Sequence, residues 1–393
     1  MTKNYIAPGE VAVVAYGETK IERGSGKTAY ELAAEVAAEL FRKTGLTPKD
    51  IDGLMIGKAL SEAPNPFFSA FMADHLGITP RWCQVTDIGG ASAIGNLARA
   101  AVALQAGICE AVMVLAADAP STVNRSDYGG YRNEFLTPVG LQGPPGGFGL
   151  LMHRYMAQYT LDFRGLGALA VAQRKGAVKN PLAYERFRQE ITVEDYLNSR
   201  LVSTPLRLLD SVMFCDGGNG VILMTAERAK RLGFKNLVYP QSYAEIVNFQ
   251  GAEQTPDITE TGFSVVGPEA LAMAKLKPAD IQQFHPYDDF LIAVMFQLEQ
   301  IGFCKRGEGS QFLRDTDLSP GGRLPINTGG GQIGAGQPGL AGGGLNLVEA
   351  VRQLMGEAGD RQVANPKNAM VTGIGVIPYG RNWTTSAVLI LSN

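Results

Sequence analysis

The sequence predicts an α/β protein made of two duplicated β-α halves packed face to face, with an insertion of loops and helices in the first half. Three observations predict it. Short apolar runs alternate with amphipathic helical stretches, and one motif occurs twice, as LTPKDIDGL (46–54) and LKPADIQQF (276–284). Between residues 121 and 210 the alternation gives way to a segment rich in Gly, Pro, Tyr and Arg.

The elements follow in order. Residues 11–16 (VAVVAY) read as a buried strand. Thr28 and Glu31 have capping-box spacing, Leu32, Val36 and Leu40 give one apolar face with Ala33, Ala37 and Phe41 beside it, and Gly45 stops the helix. A turn and a second strand fill 45–57; an Ala-rich helix fills 91–106, is stopped by Gly107, and leads into a buried strand at 111–120. After the insertion, a strand at 220–225 is followed by a helix through Arg231. The second half repeats the order of helix, basic turn, Pro, Asp and apolar strand over 267–287. A Gly-rich stretch, 329–344, then leads into a helix at 345–354 and last strands at 369–374 and 386–391. This divides the chain into residues 1–235, with the insertion at about 121–210, and residues 236–393.

Composition narrows the function. At 393 residues, with 45% hydrophobic and 19% charged residues, the chain is long and apolar enough to fold around a sizeable core. A formal net charge of −3 offers no basic face for nucleic acid. No apolar run is long enough to span a bilayer, and residues 1–16, with one Lys and a break at Pro8 and Gly9, do not read as a secretory signal. Cys83, Cys109, Cys215 and Cys304 are isolated, which fits reduced thiols in a cytoplasmic protein. With His75, His153 and His285 the only histidines, no metal site is expected.

Two glycine motifs are set aside. GSGKT (24–28) has Ile21 where a phosphate loop needs its first Gly, and reads as a loop before a helix cap. GAGQPG (334–339) matches GxGxxG, but Pro338 stands where a dinucleotide-binding helix would begin. HPYDDF (285–290) is a different matter. Its His and two carboxylates read either as solvated groups at a strand end or as a site, since open α/β sheets place their sites at strand ends.

The chain resembles the thiolase superfamily, in the branch of the thiolase domain of sterol carrier protein X. The resemblance rests on GLTPKDIDGL, VMVLAADAP, the run from 179 to 220, YDDF, QLEQIGFCKRGEG (297–309) and NTGGGQIGAGQPG (327–339). It implies the thiolase fold: two duplicated β-α-β-α-β halves forming a five-layered structure with an inserted loop domain, as a homodimer. The departures from the family pattern bear on the chemistry. Gly90 stands where a thiolase carries its nucleophilic Cys, Gln337 where its Gly-His-Pro motif carries His, and Gly373 where its second Cys lies. Without that thiol the usual acyl-enzyme does not form. Ser92 is the one hydroxyl nearby, with no evident base to activate it.

The fourth motif reads Tyr287-Asp288-Asp289-Phe290, where the branch normally has His-Asp-Cys-Phe. The Tyr form resembles thiolase-like aldolases that cleave the side chain of steroid-derived acyl-CoA thioesters and work with a small OB-fold and zinc-ribbon partner protein. Retro-aldol cleavage of a β-hydroxyacyl-CoA needs a base and a hole for the enolate oxygen, but no nucleophile. The resemblance therefore makes Tyr287 the candidate base or relay, with a lowered pKa or with Asp288 assisting through water. Gln337 is the candidate donor to the enolate oxygen, with Tyr379 as a substitute, and Gly90, Ser92, His285 and Gly375 line the thioester. Coenzyme A enters as part of the substrate, with no bound cofactor. Two other readings stand beside this one: a catalytically silent subunit of a complex, and an atypical acyl transfer through Ser92.

Overall fold

Strand β1 (Val11–Glu18) shows how one sequence run serves two cores. Its side chains alternate in direction. Val11 and Val13 enter one buried cluster, while Ala12 and Val14 enter another on the opposite face of the sheet. The computed structural model describes residues 3–123, 133–141, 143–250, 257–375 and 382–393.

Five strands, β1, β2 (Gly53–Gly57), β3 (Trp82–Thr86), β4 (Ala111–Asp118) and β5 (Gly217–Thr225), form the first sheet in the order β1-β5-β4-β2-β3. Four more, β6 (Tyr239–Val247), β7 (Phe284–His285), β8 (Asn368–Gly375) and β9 (Thr385–Ser392), form the second in the order β6-β9-β8-β7. Helix α1 (Ala29–Thr44) covers the outer face of the first sheet, begun by the Thr28–Glu31 capping box and ended by Gly45 at φ 71°. Gly45 has the left-handed backbone that a side chain disfavours.

Between the sheets lie α2 (Ser92–Gln105) and, from the second half, α5 (Gly342–Met355), whose apolar faces share one core with both sheets. Helices α3 (Phe263–Ala274) and α4 (Leu291–Ile301) cover the outer face of the second sheet, so the layers run helix, sheet, helix pair, sheet, helix pair. The repeated motif forms the same structure twice. Asp50 accepts the amide of Thr47 and Asp280 that of Lys277, each at 2.8 Å, in a 3₁₀ turn just before β2 or β7.

The insertion supplies two long helices, Gly143–Gln158 and Phe163–Val178, and a small hairpin of Leu201–Ser203 with Leu206–Arg207, all packed toward the second half. GSGKT is held as a loop by Asp216, which accepts from the amide and hydroxyl of Ser25 and from the hydroxyls of Ser121 and Thr122. No helix among the described residues is long and apolar enough to cross a membrane.

A buried ion network ties α5 to β1. Arg352 pairs with Glu18 and Glu349, and Arg361 with Glu349. Burial pushes the Glu349 carboxyl up, but the two guanidiniums outweigh it and hold it at about 2. Removing one partner of a buried pair strands the others. Glu349→Ala is expected to cost about 3–5 kcal/mol, read from the urea midpoint.

Candidate active site

The site is built where the end of β7, the Gly89–Ala91 turn, the short helix Gly331–Ala335 and the start of α5 converge. Its centre is Tyr287, 4% exposed. A Cβ built on Gly90 would lie 2.2 Å from the Tyr287 ring and hydroxyl, and one on Gly343 would lie 2.1 Å from the Gly90 carbonyl oxygen. The phenol therefore fills the space that a side chain at position 90 would take, and only glycine fits beneath it.

The backbone of Tyr287 is clamped on both sides. Its amide donates to the Thr372 hydroxyl and its carbonyl accepts from Gln297, both at 2.8 Å, while Gln297 also bonds Thr372. Asn327 and Asn346 both donate to the preceding carbonyl, of Pro286. At the other end of the ring, Gln337 Nε2 lies 3.5 Å from the Tyr287 hydroxyl and donates to Gln332 Oε1 at 3.0 Å. The Gln337 backbone is fixed by the 211–215 stretch, through Met213 O and the Cys215 amide.

Asp288 is fully buried and receives the amides of Gln332 and Ile333, Gln173 Nε2 at 2.6 Å and Asn346 Nδ2 at 3.2 Å. It caps the helix Gly331–Ala335, and so positions Gln332, rather than partnering Tyr287. Burial pushes its carboxyl up to about 7 against the pull of these donors. Burial also raises the Tyr287 phenol well above its ordinary value, with Asp289 and then Asp288 adding to it. Burial thus favours the neutral phenol at Tyr287, and of the two conditions named for a base, a lowered pKa or help from Asp288, the first is not met.

The other expected residues are placed as follows. Ser92 Oγ accepts the Ile88 amide at 3.3 Å and donates to Thr86 O at 3.5 Å, pinning the turn that carries Gly90. Gly373 and Gly375 let β8 approach that turn, since a Cβ on Gly375 would lie 1.9 Å from Ile88 O. His285 bonds Gln283 through Nε2 at 2.9 Å, and burial lowers its pKa to about 4. It lines a small cavity of about 10 Å³, shared with Asn327, Asn346, Glu349 and Arg352, which has room for about one water. Tyr379 lies outside the described residues. Burial pushes the thiols of Cys109, Cys215 and Cys304 up to about 12, so none of the three stands ready as a thiolate.

Two residues of the site were given no role in the sequence reading. Gln332 carried no signal, being one polar residue in a glycine run. Asp289 did carry one, as the second carboxylate of YDDF; it is 8% exposed, its Oδ1 has no hydrogen-bond partner, and burial followed by the Asp288 charge pushes it up to about 8.

With this geometry in place, residues 244–393 match the family described as thiolase C-terminal domain-like. The 17-hydroxy-3-oxo-4-pregnene-20-carboxyl-CoA lyase of Mycobacterium tuberculosis is 32% identical over 95% of this chain and 98% of its own. The chain belongs to the thiolase superfamily. Within the superfamily it is similar to the steroid side-chain-cleaving aldolase of Thermomonospora curvata, 32% identical over 95% of this chain and 98% of that one. A solved Ltp2-ChsH2(DUF35) aldolase superposes with a TM-score of 0.84 at 30% identity, covering 97% of this chain and 98% of that one. The thiolase fold expected from the sequence is the one observed.

A side chain at position 90 and the Tyr287 ring compete for one space in this thiolase-like pocket. Gly90→Ala is expected to cost about 1–3 kcal/mol by overpacking, and most of that cost is expected to vanish in a Tyr287→Ala background. A double-mutant cycle by urea denaturation measures it.

Proposed function

We propose that the protein is a carbon–carbon lyase that cleaves a β-hydroxyacyl-CoA by a retro-aldol reaction, without an acyl-enzyme. The observation that carries this reading is the Tyr287 phenol standing over Gly90, where the resemblance assigns the thiolytic Cys. A phenol held there holds or donates a proton at the thioester, whereas a thiol would attack it. The names of the full-length relatives, a steroid carboxyl-CoA lyase and a steroid side-chain-cleaving aldolase, support the same class and a bulky polycyclic acyl group.

In the proposed reaction the β-hydroxyl loses its proton, the Cα–Cβ bond breaks, and the electron pair moves onto the thioester as an enolate. The products are a ketone and a shortened acyl-CoA once Cα is protonated. Coenzyme A enters only as part of the substrate, and the balance calls for no other cofactor. Gln337, whose amide is oriented by Gln332, supplies an N–H to the enolate oxygen, and Tyr287 relays the proton. Asp288 is a positioning residue for Gln332.

We also propose a homodimer through β3. It is the edge strand of its sheet, with Val85 43% exposed and Phe67 and Phe71 more than half exposed nearby in sequence. A small partner protein is proposed from the two-component name of the solved aldolase.

The experiment is turnover of a β-hydroxyacyl-CoA with a fully substituted Cβ, with and without the candidate partner protein. Release of ketone and shortened acyl-CoA is expected, with kcat lowered about 10²-fold or more in Tyr287→Phe. Acyl-CoA binding without cleavage under both conditions supports the silent-subunit reading instead.

A further inference from the structure

The lyase reading leaves one role unfilled. A base must take the β-hydroxyl proton, and burial holds the Tyr287 phenol well above its ordinary pKa. Asp288 is saturated by four donors. Other buried carboxylates are also engaged: Asp118 by the amides of Leu60 and Ser61, Asp210 by Tyr196 and the Arg207 amide, Glu299 by Tyr155 and the Gly309 amide, and Glu349 by its arginines. Asp289 differs. Among the described residues it is the buried carboxylate with an oxygen, Oδ1, that no donor meets.

Its backbone joins the segment that holds Gln337, and its charge acts on Tyr287. The Asp289 carbonyl accepts the Val212 amide at 3.1 Å, and the Gln337 amide donates to the next carbonyl along that stretch, of Met213, at 3.1 Å. Asp289 and Gln337 thus flank one short segment, and Gln337 reaches the hydroxyl of Tyr287, two residues before Asp289. A second buried polar atom without a partner lies beside it: Ser211 Oγ, on the residue that bridges to Phe290. Buried polar atoms in native proteins are nearly always paired, so two unpaired ones on adjoining backbone mark a place where a ligand or water supplies the missing contact.

We propose that Asp289 is the catalytic base of this site, whose carboxylate takes the β-hydroxyl proton of the acyl-CoA. The inference rests on the lyase reading above. The O–H electron pair becomes the second bond of the ketone, the Cα–Cβ pair becomes the enolate C=C bond as the thioester carbonyl pair moves onto its oxygen, and the proton sits on Asp289. It then returns to Cα, directly or through Tyr287, which regenerates the carboxylate and leaves no net proton, electron or co-reactant to account for. Burial and then the Asp288 charge push this carboxyl up to about 8, so its carboxylate form, which takes the proton, gains population as pH rises through that value. The polar gap at Oδ1 is filled when the substrate hydroxyl binds.

The test is Asp289→Asn, assayed on the same β-hydroxyacyl-CoA, with Asp289→Ala in the presence of added formate as the second variant. The expected result is a kcat lowered about 10²-fold or more with KM within a few fold. The urea midpoint of Asp289→Asn is expected to be unchanged or higher, because a neutral amide replaces a desolvated acid. Formate is expected to restore part of the turnover of Asp289→Ala, which a merely structural role would not produce. If Asp289→Asn keeps more than half of the parent kcat while Tyr287→Phe does not, Asp289 is not the base and the lyase reading stands. If formate restores nothing to a folded Asp289→Ala, the base role is likewise overturned. If the parent protein cleaves no β-hydroxyacyl-CoA, the lyase reading fails and this inference fails with it.

Discussion

The contact between Tyr287 and Gly90 is the constraint on which the rest of the site depends. One side chain can occupy the space above the Gly89–Ala91 turn, and here the phenol comes from the opposite half of the molecule. Gly90 and Tyr287 are therefore one structural feature written at two places in the sequence. The glycines at the start of α5 belong to the same feature. Added side chains there would strike Gln332, the Gly90 carbonyl and Asn219, so the helix meets the turn backbone to backbone. A phenol stands where the family resemblance places the thiol.

Holding a phenol in that place takes an unusual density of buried polar groups. Thr372, Gln297, Asn327 and Asn346 fix the backbone around Tyr287, while Asp288 fixes the helix that carries Gln332, and Gln332 fixes the Gln337 amide. Each link satisfies one buried donor or acceptor, and an unsatisfied one would cost about 1–3 kcal/mol. Such networks specify geometry more than they add stability. Asp289 is the carboxylate left partly unsatisfied, beside the Gln332 and Asn327 amides, each of which also keeps one unpartnered atom.

Much of the scaffold was legible in the sequence because it is local. The Thr28–Glu31 capping box, the stop at Gly45 and the alternating apolar strands depend on residues within a few positions of one another, and they appear as expected. The duplicated motif was legible for the same reason, since its Asp caps a turn three residues away in both copies. The site was only half legible. The family resemblance pointed to YDDF and to Gly90, but not to the contact between them, which joins residues 197 positions apart by packing alone (287 − 90). Asp288 and Asp289 look alike in sequence. Their difference lies in the donors that reach each, and those come from elsewhere in the chain. Gln332 was hidden because its importance comes from what it touches. The burial that raises the Tyr287 pKa cannot be read from one strand end.

In the proposed reaction the thioester keeps its coenzyme A and the electrons of a carbon–carbon bond pass briefly onto its oxygen. The most direct test is a single turnover in D₂O, with the released acyl-CoA and the intact protein both weighed by mass spectrometry. One solvent-derived deuterium at Cα of the acyl-CoA, with no mass added to the protein, is the predicted result. An acyl group found on the protein, with no deuterium at Cα, would contradict the account.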